Sequence, residues 1–145
     1  MTKLNISLMQ ASGESRSPEQ AIATLATNIA RAAKLGADVL VTPELYLSGY
    51  GDATETAEWA QYAGLTLLRQ AAGLAAQYGV ALVLGYPEKT DDGVFNSAVV
   101  FGTCGETLCN YRKINLPNDY ERSCFKRGSA PLVFDIVGVR CAVLI

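Results

Sequence analysis

The chain contains no histidine, which removes imidazole both as a metal ligand and as a base. It also lacks a basic tract. Its 12 lysines and arginines stand against 14 acidic residues, for a formal net charge of −2, so it has no electrostatic footprint for nucleic acid or for an anionic membrane. No stretch approaches the ~20 consecutive apolar residues that a bilayer-spanning helix needs. The first ten residues are too short and too alternating for a secretory signal core. A cytoplasmic location is expected, and with it reduced thiols at Cys104, Cys109, Cys124 and Cys141. Cys104 and Cys109 lie close together, but without a second such pair they do not describe a zinc site. Internal repeats, low-complexity tracts and linkers are absent too. What remains as a partner is a small molecule or a second copy of the chain.

Half of the 145 residues are hydrophobic and 18% are charged, a globular composition. A domain of this length buries roughly 68–70% of its unfolded surface. Leu4, Ile6 and Leu8 alternate with Asn5 and Ser7, as in a first strand. Ser17-Pro18-Glu19-Gln20 reads as a helix start, with serine as the cap, proline at the first helical position and glutamine placed to complete a capping box. Ile22, Leu25, Ile29 and Ala32 follow at helical spacing until Gly36. Residues 37–41 form a short apolar strand that Pro43 ends, because proline cannot donate to a ladder.

A second helical region is expected over residues 54–78, with Trp59, Tyr62, Leu65, Leu68 and Leu74 as its apolar positions and a break or kink at Gly64. Residues 80–86 read as a buried strand. Asp91-Asp92-Gly93 is a hairpin turn joining it to a strand over 94–101. Another strand spans 106–113, a polar loop covers 115–130, and two strands follow at 132–136 and 139–145. A β-α-β-α-β order followed by consecutive strands implies helices layered on a mixed sheet.

Two ionisable residues stand where strands give out. Glu44 follows Pro43 at the C-terminal end of its strand, the end at which α/β sheets usually bind ligands. Lys113 closes the strand in Asn110-Tyr111-Arg112-Lys113-Ile114. Taken singly, Glu44 reads as a solvated loop carboxylate, Lys113 as a surface lysine and Glu121 as loop charge. The ordered set reads differently. Pro-Glu with Ser-Gly-Tyr (43–50), Gly-Tyr-Pro-Glu (85–88), Phe-Asn-Ser-Ala (95–98), Tyr-Arg-Lys-Ile-Asn-Leu (111–116) and a following Glu–Phe–Gly series resemble the nitrilase superfamily of carbon–nitrogen hydrolases over essentially the whole chain.

That resemblance implies a four-layer α-β-β-α sandwich, present here as its N-terminal half, with residues 1–145 forming the N-terminal portion of one hydrolase domain. It implies a Glu–Lys–Cys triad in which Glu44 is the base and Lys113 the cation, with Glu121 positioning the lysine and the substrate. The nucleophilic cysteine is expected immediately after the strand that runs to Ile145, a position outside this sequence. Cys141 falls inside that strand and reads as a small buried hydrophobe. Cys104, Cys109 and Cys124 do not match the position either. Tyr50 is a candidate wall of the substrate pocket, or equally a core tyrosine.

The implied reaction is hydrolysis of a small aliphatic amide through a cysteine thioester, with no metal or organic cofactor and with a homodimer or larger homo-oligomer as the assembly. The alternatives are nitrile or N-carbamoyl hydrolysis by the same machinery, or an inactive fragment or pseudoenzyme serving as an interaction module.

Overall fold

The computed structural model describes residues 3–62 and 65–145. In chain order the elements are β1 (Ile6–Leu8), α1 (Pro18–Lys34), β2 (Val39–Val41), α2 (Ala53–Trp59), β3 (Gln61–Tyr62), α3 (Thr66–Tyr78), β4 (Ala81–Thr90), β5 (Gly93–Phe101), β6 (Thr107–Arg112), α4 (Asp119–Cys124), β7 (Val133–Ile136) and β8 (Val139–Ala142). The main sheet runs β1-β2-β4-β5-β6, with β3 paired to the far end of β4. β1, β2 and β4 are parallel, whereas β4, β5 and β6 form an antiparallel meander.

α1 begins as its sequence demands. The Ser17 hydroxyl accepts from the Gln20 amide at 3.3 Å, Pro18 opens the first turn, and Gly36 takes a left-handed φ of 72° just past the end. The full capping box belongs instead to α2, where Asp52 and Glu55 satisfy each other's backbone amides. The single helical region expected over 54–78 is two helices. Its apolar spacing is helical, but residues 61–62 add to the edge of the long strand β4, with Gln61 opposite Glu88, and ladder hydrogen bonds replace helical ones there. The break expected at Gly64 lies outside the described residues. Within the expected polar loop 115–130 sits the short helix α4, capped by Asn118, whose side chain accepts from the Glu121 amide at 2.8 Å.

Strand alternation gives the sheet two apolar faces. One packs Leu40, Leu82, Leu84, Tyr86, Val99 and Phe101 against Leu25 and Ile29 of α1 and Leu68, Ala71 and Ala75 of α3. The other carries Val39, Ala81, Val83, Ala98, Val100 and Tyr111, and the hairpin β7–β8 lays Phe134 and Ile136 onto it. Helices therefore cover one side of the main sheet and a second, two-stranded sheet begins on the other. Among the described residues no helix is long and apolar enough to cross a membrane.

Ile6 and Leu8 pair in register with Val39 and Val41, so they point to the second-sheet side, yet they are 57% and 75% exposed. Leu144 is exposed as well. An uncovered apolar strand face is a self-association hazard. A polypeptide of only residues 1–145 is expected to form soluble aggregates at micromolar concentration, and paired Ile6→Lys and Leu8→Lys changes should reduce them. Light scattering that shows a monodisperse monomer before any substitution would contradict this.

Candidate active site

The turn that presents Glu44 is built by the strands on which it rests. Beyond β2, the Thr42 amide donates to the Val83 carbonyl at 3.0 Å, its hydroxyl donates to the same oxygen, and that hydroxyl accepts from the Gly85 amide at 3.1 Å. Pro43 then ends the ladder. The chain doubles back through Leu45 at a positive φ of 50°, and the amides of Ser48 and Gly49 close onto the Leu45 carbonyl. A left-handed φ at a leucine is strained, and packing supplies the compensation. Leu45, Tyr46 and Leu47 are fully buried, and the Tyr46 hydroxyl donates to the Ala21 carbonyl on α1.

Gly85 lets this turn lie against β4. A Cβ there would sit 2.4 Å from the Pro43 carbonyl oxygen and 2.8 Å from the Leu45 nitrogen. Both are backbone atoms and cannot step aside as a side chain would.

Lys113 approaches from the end of β6, where its amide still donates to the Asn96 carbonyl of β5 at 2.8 Å. Its ammonium donates to Glu44 Oε1 at 2.7 Å and to Glu121 Oε1 at 2.9 Å. The lysine and Glu121 are buried, while the Glu44 side chain keeps 26% exposure. Glu121 occupies the third position of α4. A glutamate there could reach back to the cap, but here its carboxylate turns to Lys113. The turn and α4 are joined by a small apolar cluster of Leu45, Leu116 and Phe125.

Asn96, fully buried on β5, donates its side-chain amide to Glu44 Oε1 at 2.6 Å. Sequence reasoning placed Asn96 in a motif without giving it a role. Its signal was the polar pair Asn96-Ser97 within a mainly apolar strand.

Burial alone would depress the Lys113 pKa, but the hydrogen bonds and charges of Glu44 and Glu121 outweigh it and hold the value above that of ordinary lysine. The ammonium is therefore a fixed cation at neutral pH and not a base. Tyr50 is 44% exposed, which removes the core reading. Its hydroxyl is driven well above the usual tyrosine range by burial, then by the Glu44 and Glu121 carboxylates it faces. It stays a neutral phenol at the rim, with its ring 6.5 Å from that of Tyr120. The Tyr120 hydroxyl donates to the Gly51 carbonyl.

The structure thus brings Glu44, Lys113, Glu121 and Tyr50 together. A cavity of about 280 Å³ opens beside Glu44, between Thr42, Gly85 and Ala98 on one side and Val143, Leu144 and Ile145 on the other. Cys141 lies in β8, its thiol directed at the Val139 carbonyl of its own strand. Among the described residues no three or more metal-ligating side chains gather.

The reverse face of the same strands carries a second charged group. Arg112, the neighbour of Lys113, donates two hydrogen bonds of 2.7 and 2.8 Å to Glu88, and Ser97, the neighbour of Asn96, donates a third of 2.7 Å. Each face of β5 and β6 thus clasps one carboxylate.

The sequence profile of the carbon–nitrogen hydrolases matches residues 5–145. The chain belongs to the carbon–nitrogen hydrolase family. Among its relatives, an (R)-stereoselective amidase from Pseudomonas sp. is 37% identical over 109 residues, 74% of this chain and 39% of that protein. A nitrilase from Pyrococcus abyssi is 37% identical over 124 residues, 81% of this chain and 45% of that one. The solved structure of a nitrilase-superfamily amidase from Nesterenkonia AN1 superposes with a TM-score of 0.85 at 27% identity, covering 97% of this chain and 55% of that chain. Other structures of that amidase hold acrylamide or butyramide, and in one acrylamide has added to its active-site cysteine. This hydrolase chain spans under half the length of these two curated relatives. Its architecture corresponds to the N-terminal half of nitrilase-fold amidases.

Two substitutions test how the site is held. Gly85→Ala is expected to cost about 1–3 kcal/mol of stability through backbone overlap, read as a lowered Tm. Burial pushes the Glu88 carboxyl up, but Arg112 and Ser97 outweigh it and hold its pKa below the ordinary 4.5. A depressed carboxyl stabilises the fold above its unfolded pKa and loses that contribution as pH falls through its folded one. The Tm gap between the parent and Glu88→Gln should therefore be widest at neutral pH and narrow on acidification. A gap that is constant across pH would refute the charge assignment.

Proposed function

We propose that the intact protein hydrolyses the carbon–nitrogen bond of a small aliphatic amide to a carboxylate and ammonia through a cysteine thioester. The observation that carries this reading is the convergence of Glu44 and Lys113 at 2.7 Å beside the cavity that Val143, Leu144 and Ile145 line. A cysteine following Ile145 would enter that cavity next to the carboxylate.

In the first half-reaction the thiol proton passes to Glu44 as sulfur bonds to the carbonyl carbon, and the carbonyl π pair moves onto oxygen. A nucleophile needs a base within hydrogen-bond reach, and the partly exposed Glu44 carboxylate supplies one. Lys113, permanently cationic, stabilises the oxyanion with the N–H that its two carboxylate bonds leave over. Collapse of this intermediate breaks the carbon–nitrogen bond, and Glu44 returns its proton to the departing nitrogen. Water then attacks the thioester, giving its proton to Glu44, and as the carbon–sulfur bond breaks Glu44 passes that proton to the departing sulfur, regenerating the thiol. Glu121 keeps Lys113 charged and aimed, and Tyr50 forms part of the rim. A homo-oligomer is the assembly we propose.

Preference for an amide over a nitrile or a carbamoyl group draws on the amidase relatives and on the acrylamide and butyramide bound by the Nesterenkonia enzyme. The paired, buried Lys113 and Glu121 weigh against a non-catalytic module, which would have no use for them.

Ammonia release from acetamide, propionamide and butyramide by the full-length protein is the direct test. Lys113→Ala and Glu44→Gln should each lower kcat by at least about 10²-fold. An undiminished rate in Lys113→Ala would sink the mechanism, and turnover of butyronitrile but not butyramide would transfer the reading to nitriles.

A further inference from the structure

We infer that Asn96 is a positioning residue for Glu44, its side-chain amide and its main-chain carbonyl coupling the carboxylate to Lys113. This rests on the hydrolase reading above and adds a residue to it.

Asn96 shares its side of β5 with Ala98 and Val100, which pack against the second sheet. A layer of that kind ordinarily takes an apolar side chain. Here it holds an amide with no solvent exposure whose Oδ1 has no hydrogen-bond partner. An unpaired buried acceptor is unfavourable, so packing is not the reason for the residue. Its gain lies at the other end of the amide, in the 2.6 Å bond from Nδ2 to Glu44 Oε1. The orientation is determined by chemistry, because the flipped amide would set two acceptor oxygens at that separation.

The same residue reaches Lys113 through its backbone. Asn96 sits opposite Pro87 on β4, while its carbonyl turns to β6 and accepts the Lys113 amide at 2.8 Å. Proline is tolerated in the central strand because the ladder bond at this level is made to β6. One residue thus sets the height of the lysine and the direction of the carboxylate. By donating to the oxygen that Lys113 also binds, Asn96 shares in fixing Glu44. The ammonium can then turn its remaining N–H towards developing charge on the substrate.

The groups facing Glu44 are Lys113 at the end of β6, Glu121 on α4 and Tyr50 in the loop beyond the turn. Asn96 and the Tyr50 phenol are the uncharged groups around Glu44, Asn96 reaching the carboxylate from within the sheet and Tyr50 from the rim. Removing Asn96 deletes the 2.6 Å donor that fixes Glu44 Oε1 from the β5 side.

The test is Asn96→Leu in the full-length protein, a change that keeps the volume, removes the orphan acceptor and deletes the donor. The expected result is an unchanged or raised Tm and a kcat lowered about tenfold or more, with KM close to the parental value. A folded Asn96→Leu protein with parental kcat, or one whose loss lies in KM alone, would overturn the inference. Should that variant not fold, the same two readouts on Asn96→Ala decide in the same way. Glu44→Gln runs beside them. If it keeps full activity the hydrolase mechanism fails, whereas loss of activity there with a silent Asn96 variant removes only the positioning role.

Discussion

One ammonium group joins three distant parts of the chain. Lys113 follows one strand, Glu44 lies in the turn beyond another and Glu121 sits on a short helix, yet both carboxylates come within 2.9 Å of the lysine nitrogen. Such a cluster is unfavourable to dehydrate unless every member is paired, and losing one partner from a buried pair is typically worth about 3–5 kcal/mol. The surrounding fold reduces the freedom of each partner. Thr42 and Gly85 hold the Glu44 turn on β4, Leu45 with Leu116 and Phe125 ties that turn to α4, and β5 carries β6 and the lysine with it.

The alternation of strands does a second task. Adjacent residues on β5 and β6 face opposite ways, so Asn96 and Lys113 meet a carboxylate on one side while Ser97 and Arg112 meet Glu88 on the other. The reverse-face clasp is bidentate, on a buried Glu88 and a partly exposed Arg112, the geometry in which an arginine–carboxylate pair is most directional. It anchors the strand ends from behind. Part of what holds the site's strands together therefore lies outside its own pocket.

Much of this was legible beforehand. Proline after a short apolar strand marks where Glu44 leaves the sheet, the Asp-Asp-Gly turn marks the meander, and the order of the motifs placed the lysine. Asn96 and Glu88 were harder to assign. β4 and β5 are buried on both faces over most of their length, so period-two patterning does not say which side a residue serves. β3 escaped notice because two residues cannot outvote a helical apolar spacing. α4 was hidden by its polarity, although Asn118 and Glu121 have the three-residue offset of a helix start.

The count of charges around Lys113 has a consequence for traffic through the pocket. Two carboxylates surround one ammonium, so the centre carries a surplus of negative charge. An uncharged amide meets no long-range barrier on entry. Under the proposed chemistry the acyl product departs as an anion from a place where Glu44 and Glu121 repel it, and only the lysine draws it back. On that proposal the carboxylate product is expected to inhibit weakly, because the charges that keep the cation in place also hasten its release while leaving the overall equilibrium untouched.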